Sequence, residues 1–123
     1  MLTLPPTVRV YLALEPIDMR HSFDGLAALV ETRLGLDPLS GYLFAFVNAR
    51  RTLLKVLFFD RSGWCIVYRR LERGTFQLPR VAPGEDRVEL APVELGLILE
   101  GIDLGAAVRR KRYLRLPMRG LEN

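Results

Sequence analysis

At 123 residues and 14.0 kDa, half hydrophobic and 26% charged, the chain has the size of one folded domain and is too apolar to be disordered. Its 18 Lys+Arg against 14 Asp+Glu give a net charge of +4 and a pI near 9.7, which favours anionic partners without the bias of a histone-like polycation. A lone Cys65 excludes an internal disulfide and a multi-thiolate zinc site, a lone His21 removes most imidazole chemistry, and no window reaches the roughly 18 apolar residues of a membrane span, so a soluble cytoplasmic protein is expected.

Residues 8–14 have the β-branched and aromatic content of a strand, closed by Glu15-Pro16. Asp18 then offers an N-cap oxygen. Met19, Phe23, Leu26, Ala27, Val30 and Leu34 recur at three- and four-residue steps up to Gly35, which predicts one amphipathic helix over 19–34. Asp37-Pro38 and Ser40-Gly41 supply a loop. From 42 to 78 short apolar runs alternate with turn residues: strands over 42–47, 53–59 and 64–71, turns at 48–51 and 60–63, and a further strand over 75–78 after the turn 72–74. Residues 42–47 and 56–59 are apolar on both alternating faces, so that part of the sheet is expected to be covered on both sides, by the helix and by something else, for which a dimer partner is one option. Residues 88–90 read as a short edge strand, and Pro92 opens a second helix through Glu100, stopped by Gly101. The expected fold is α+β, an antiparallel β-meander of four to five strands with one long helix packed on it and a short C-terminal helix. Residues 1–105 are read as a single domain and 106–123 as a basic C-terminal tail, flexible until it meets a partner.

Charge is segregated along the chain. Residues 1–49 carry 3 basic and 5 acidic side chains, 50–80 carry 8 and 2, 81–105 carry 1 and 6, and 106–123 carry 6 and 1. Sixteen of the 18 cations are Arg, whose planar fork grips phosphate bidentately; codon bias accounts for that ratio equally well, but not for the clustering. In a hairpin turning at 60–63, residues whose numbers sum to about 123 or 124 lie opposite one another, which puts Leu53 beside Arg70 and Lys55 beside Tyr68-Arg69. Arg50, Arg51, Lys55, Arg69, Arg70 and Arg73 are then expected at one end of the sheet. Such a cluster costs stability unless acids or a bound polyanion neutralise it, and Tyr68 and Trp64 would offer stacking faces beside it. In the blander alternative the turn arginines are merely solvated, and Glu72, Glu85, Asp86 or Glu89 pair with the rest.

Catalysis would have to come from carboxylates. Asp18, Asp24, Asp60, Glu72 and Asp103 each have a structural account as cap, helix face or turn residue, and no acid/base pair stands at a diagnostic spacing. His21 has no visible nucleophile partner, Cys65 reads as a small apolar strand residue, and no Gly-rich phosphate loop is present. No cofactor or metal is expected.

Two strings are distinctive: Pro16-Ile17-Asp18-Met19-Arg20 leading to Ser22-Phe23-Asp24-Gly25-Leu26, and Arg70-Leu71-Glu72-Arg73-Gly74-Thr75-Phe76 with Pro79. With Val10-Tyr11-Leu12-Ala13, Gly41-Tyr42-Leu43-Phe44 and Phe46, Arg50-Arg51, Leu54-Lys55-Val56-Leu57, Asp60 with Gly63, and Leu99-Glu100-Gly101-Ile102-Asp103, the chain over about 8–104 resembles TnpB. This is the second-open-reading-frame accessory protein of bacterial insertion-sequence elements of the family numbered 66, unrelated to the RNA-guided nuclease sharing its name. The chain departs from the family at Leu104, where an aromatic is usual, and the basic tail varies among members. The resemblance implies a transposition accessory encoded beside a larger transposase that carries the catalytic acids. The expected function is thus non-catalytic, with DNA phosphates bound through Arg50, Arg51, Lys55, Arg69, Arg70 and Arg73, helped by Arg109, Arg110, Lys111 and Arg112. A module that docks on the transposase through the aromatic sheet face or the 88–100 segment is the alternative, and a small metal-dependent nuclease using Asp18, Asp24 or Asp60 is a third. Expected partners are DNA and the element-encoded transposase, with a homodimer as a further option.

Overall fold

The structure, a computed structural model, describes residues 8–103. In chain order it contains β1 (Val10–Ala13), α1 (Phe23–Leu29) continuing into a π-helical turn (Val30–Leu34), β2 (Leu43–Val47), β3 (Leu53–Asp60), β4 (Gly63–Arg70), β5 (Arg87–Leu90) and α2 (Pro92–Leu99). The α+β class holds, and the strands form one sheet in the order β4-β3-β2-β1-β5.

The sheet is mixed rather than a pure antiparallel meander. β2, β3 and β4 are successive hairpin partners, with Phe44 opposite Leu57 and Leu53 opposite Arg70, the register that hairpin arithmetic predicts. β1, however, runs parallel to β2, with Val10 opposite Leu43, and antiparallel to β5 on its other side, with Val10 opposite Leu90. The reason is the crossover: α1 returns the chain to the end from which β1 started, so β2 leaves in the same direction.

The first helix is not long. Asp18 caps a turn instead of the helix: its Oδ1 accepts the Arg20 backbone N–H at 2.8 Å, and its backbone carbonyl accepts from the His21 N–H at 3.2 Å. Helix begins only after Ser22. Past Leu29 the chain winds as a π-helical turn, in which the Gly35 N–H reaches back five residues to the Val30 carbonyl and the Thr32 hydroxyl donates to the Ala28 carbonyl at 2.8 Å. Gly35, in the left-handed conformation at φ 64°, ends it. The expected strand over 75–78 does not form either. Having left β4 at one edge, the chain must cross the sheet to reach β5 at the other, and Phe76, 0% exposed, is the side chain it drives into the core on the way.

Both faces of the sheet are covered by this chain itself. On one, Tyr11, Phe44, Phe46 and Leu57 pack against Leu26, Val30 and Leu34 of the first helix. On the other, Val10, Leu12, Ala45, Leu54 and Val56 pack against Phe76 and against Leu95, Ile98 and Leu99 of α2. The second cover is therefore α2 and Phe76, and this face needs no dimer partner to bury it.

Candidate nucleic-acid interface

The turn joining β2 to β3 is organised by Asn48. Its Oδ1 accepts the backbone N–H groups of Thr52 and Leu53, both at 2.9 Å, and its Nδ2 donates to the Thr52 hydroxyl at 3.1 Å. The Arg51 N–H closes the turn on the Asn48 carbonyl at 3.0 Å. With its polar groups satisfied from within, the turn presents Arg50 and Arg51 outward, both exposed. Arg51 pays for this with a positive φ of 59°, a conformation that disfavours any side chain with a Cβ.

The chain leaving β4 comes back to this turn. Leu71 N–H donates to the Thr52 carbonyl at 3.1 Å and Phe76 N–H to the Arg51 carbonyl at 2.7 Å. Arg70, opposite Leu53, and Arg73, in the exposed turn between those two contacts, thereby join Arg50 and Arg51 at one end of the sheet. Among the described residues the guanidinium groups of Arg50, Arg51 and Arg73 make no hydrogen bond or ion pair. Arg70 has Glu72 at 3.4 Å, with the two side chains 74% and 80% exposed. A pair that exposed is worth little and is readily exchanged for a phosphate.

Two of the sequence-selected cations lie elsewhere. Strand alternation turns Arg69 to the α2 face, where its Nε donates to the Leu99 carbonyl at 2.8 Å and its Nη2 lies 3.6 Å from Glu100. It holds the end of α2. Lys55 is 7% exposed, and its Nζ donates to the carbonyls of Met19 and His21, each at 2.7 Å, beneath the Tyr68 ring with 4.7 Å to the centroid. It staples the segment before α1 to the sheet. Arg109, Arg110, Lys111 and Arg112 lie outside the described residues.

Of the two aromatics, Tyr68 is exposed on the same face as Arg70. Trp64 sits at the far end of β4, half-buried and edge-on to Phe59 at 5.1 Å. Of the four alternative acidic partners, Glu72 does pair with Arg70, while Glu89 binds Arg9 through two bonds of 2.9 and 3.0 Å and Asp86 lies 3.9 Å from Arg87. Asn48 is the positioning residue that composition does not flag. An Asn opening a turn is its only local signal.

The carboxylates offer little chemistry. Asp18 lines a shallow open cleft with Arg20 and His21, but the Arg20 side chain binds it at 2.6 to 3.1 Å, and this holds its carboxyl down at about 2, far from a useful general base. Among the described residues no three of His, Cys, Asp and Glu come together as metal ligands. No helix there is long and apolar enough to cross a membrane.

A family model described as IS66 Orf2 like protein matches residues 8–109. Two proteins of Sinorhizobium fredii (strain NBRC 101917 / NGR234) are similar. Uncharacterized protein y4hO is 40% identical over 103 residues, which is 84% of this chain and 88% of the relative. Uncharacterized protein y4jC is 35% identical over 108 residues, 88% and 90% respectively. No solved structure matches.

Proposed function

The chain belongs to the IS66 Orf2 like family, accessory proteins of insertion-sequence transposition, and from that premise we propose that it acts without catalysis of its own, by binding DNA phosphates at the Arg50, Arg51, Arg70 and Arg73 end of its sheet. The observation that carries this reading is that four guanidinium groups gather at one end of the sheet and three of them, like Arg61 and Arg80 elsewhere, have no internal partner among the described residues, whereas the strand cations Lys55, Arg69 and Arg87 are hydrogen-bonded to carbonyls. Like charges gathered at one rim raise the energy of the free protein, and a polyanion relieves it. Arginines at turns reach phosphates without entering a groove, so the contact carries position and affinity with little base readout. Lys55 and Arg69 are not part of this surface.

The test is a fluorescence-anisotropy titration of a duplex at several salt concentrations. Counterion release predicts that removing one phosphate-binding cation lowers the log–log salt slope by about 0.9. Arg50→Ala, Arg70→Ala and Arg73→Ala, with Arg51→Gly to remove the cation while easing the positive φ, are each expected to lower it by about that amount. Superimposable curves for wild type and the combined variant would refute the reading and transfer the function to docking on the transposase, which a pull-down then reads.

A further inference from the structure

β4 ends the strand order, so among the described residues nothing pairs its outer side. It is eight residues long, matches β3 one-to-one from Leu53↔Arg70 to Asp60↔Gly63 with no bulge, and contains no proline. Edges are normally blunted by proline, bulges, a cover or charge, because bare N–H and C=O groups recruit another strand. Here charge is confined to Arg69 and Arg70, at one end. The opposite edge, β5, has four residues and two charges.

The outward backbone groups follow from the ladder. Leu71 bonds toward β3, through its N–H on the Thr52 carbonyl, so by antiparallel alternation Arg69, Val67, Cys65 and Gly63 do the same. Trp64, Ile66, Tyr68 and Arg70 turn their N–H and C=O groups to the open side.

We propose that this edge pairs antiparallel with β4 of a second copy, about a two-fold axis through Val67, joining the two five-stranded sheets into one. A two-fold axis normal to the sheet allows only registers in which facing residue numbers have an even sum. The register centred on Val67 sets all four outward residues against one another: Trp64 against the second copy's Arg70, and Ile66 against the second copy's Tyr68. Charge is compatible with this arrangement. Antiparallel registers centred on Arg69 or Arg70 would set those cations against their own copies, whereas this one separates them by the length of the strand and gives each Arg70 an aromatic ring opposite it. Tyr68, 54% exposed, gains an apolar neighbour.

The measurement contains no DNA and is independent of the reading above. Light scattering on the full chain is expected to give about twice the 14.0 kDa of one copy. Tyr68→Pro deletes one outward N–H while sparing the bonds to β3, and is expected to halve that mass. Because proline in β4 also threatens the hairpin, Val67→Cys in a Cys65→Ser background supplies a second measurement. On the axis the paired Cα atoms of a non-hydrogen-bonded site lie about 4.5 Å apart, within disulfide reach, so mild oxidation is expected to yield a covalent dimer. Arg61→Cys in the same background, at the hairpin tip, is expected to yield none. A monomeric full chain overturns the proposal, its edge then being bare or covered by other residues of the same chain. So does a dimer whose position-67 thiols fail to cross-link.

Discussion

Lys55 and Arg87 are cations spent on backbone carbonyls. Lys55 gives two of its three protons to Met19 and His21, and the Arg87 guanidinium donates from Nη1 to the Leu34 carbonyl at 2.6 Å, where the first helix ends. Carbonyls at a helix terminus or in a buried loop need donors, and a charged donor is the strongest available. Lys55→Met keeps most of the length of the side chain and removes both bonds, leaving the Met19 and His21 carbonyls without their donor. It is expected to cost about 2–4 kcal/mol in urea unfolding, since hydrogen bonds to charged groups contribute more than neutral ones. The DNA salt slope of the folded variant is expected to match wild type. A loss below about 0.5 kcal/mol would mean that Lys55 holds nothing. Gly25 is explained at the same scale: a Cβ there would meet His21 Nδ1 at 2.6 Å, so the imidazole occupies the space that a side chain would need.

Each helix is held to its sheet face by a cation from a strand as well as by apolar packing. For α2 the clip is Arg69, which meets the Leu99 carbonyl and Glu100 where the helix dipole is negative. Arg69→Ala is expected to lower stability by about 1–3 kcal/mol and to speed amide hydrogen exchange over 92–101 more than elsewhere. Uniform exchange across the chain would show that packing of Leu95, Ile98 and Leu99 alone seats the helix. The strings that carry the family resemblance acquire physical roles at this level. Asp18 and Arg20 tie a turn whose neighbouring carbonyls receive Lys55. In the second string Arg70 pairs Glu72, Gly74 adopts φ 71°, and Phe76 plugs the α2 face.

Among the described residues Lys55, Arg69 and Arg87 are turned to helix ends and loop carbonyls, Arg50, Arg51, Arg70 and Arg73 are collected at a rim, and Arg9, Arg20 and Arg33 pair with surface carboxylates. Effects on stability and on DNA affinity are accordingly expected to separate: combining Lys55→Met with Arg73→Ala should give the unfolding cost of the first within about 0.5 kcal/mol and the salt slope of the second, as independent sites do. Coupling beyond that would place the two residues in one network. The strands β2, β3 and β4, their turns and the Leu53↔Arg70 register were legible in the residues, because turn chemistry and two-residue alternation are local. So were α2 with its proline start and the gathering of Arg50, Arg51, Arg70 and Arg73. Tertiary structure alone decided that β1 lies parallel to β2 and beside β5, that Phe76 leaves the sheet to fill its core, and which cations face inward. Those outcomes depend on residues far apart in the chain, Lys55 on 19 and 21, Arg87 on 34 and Arg69 on 99, and no local pattern of charge distinguishes a guanidinium destined for a distant carbonyl from one left to solvent.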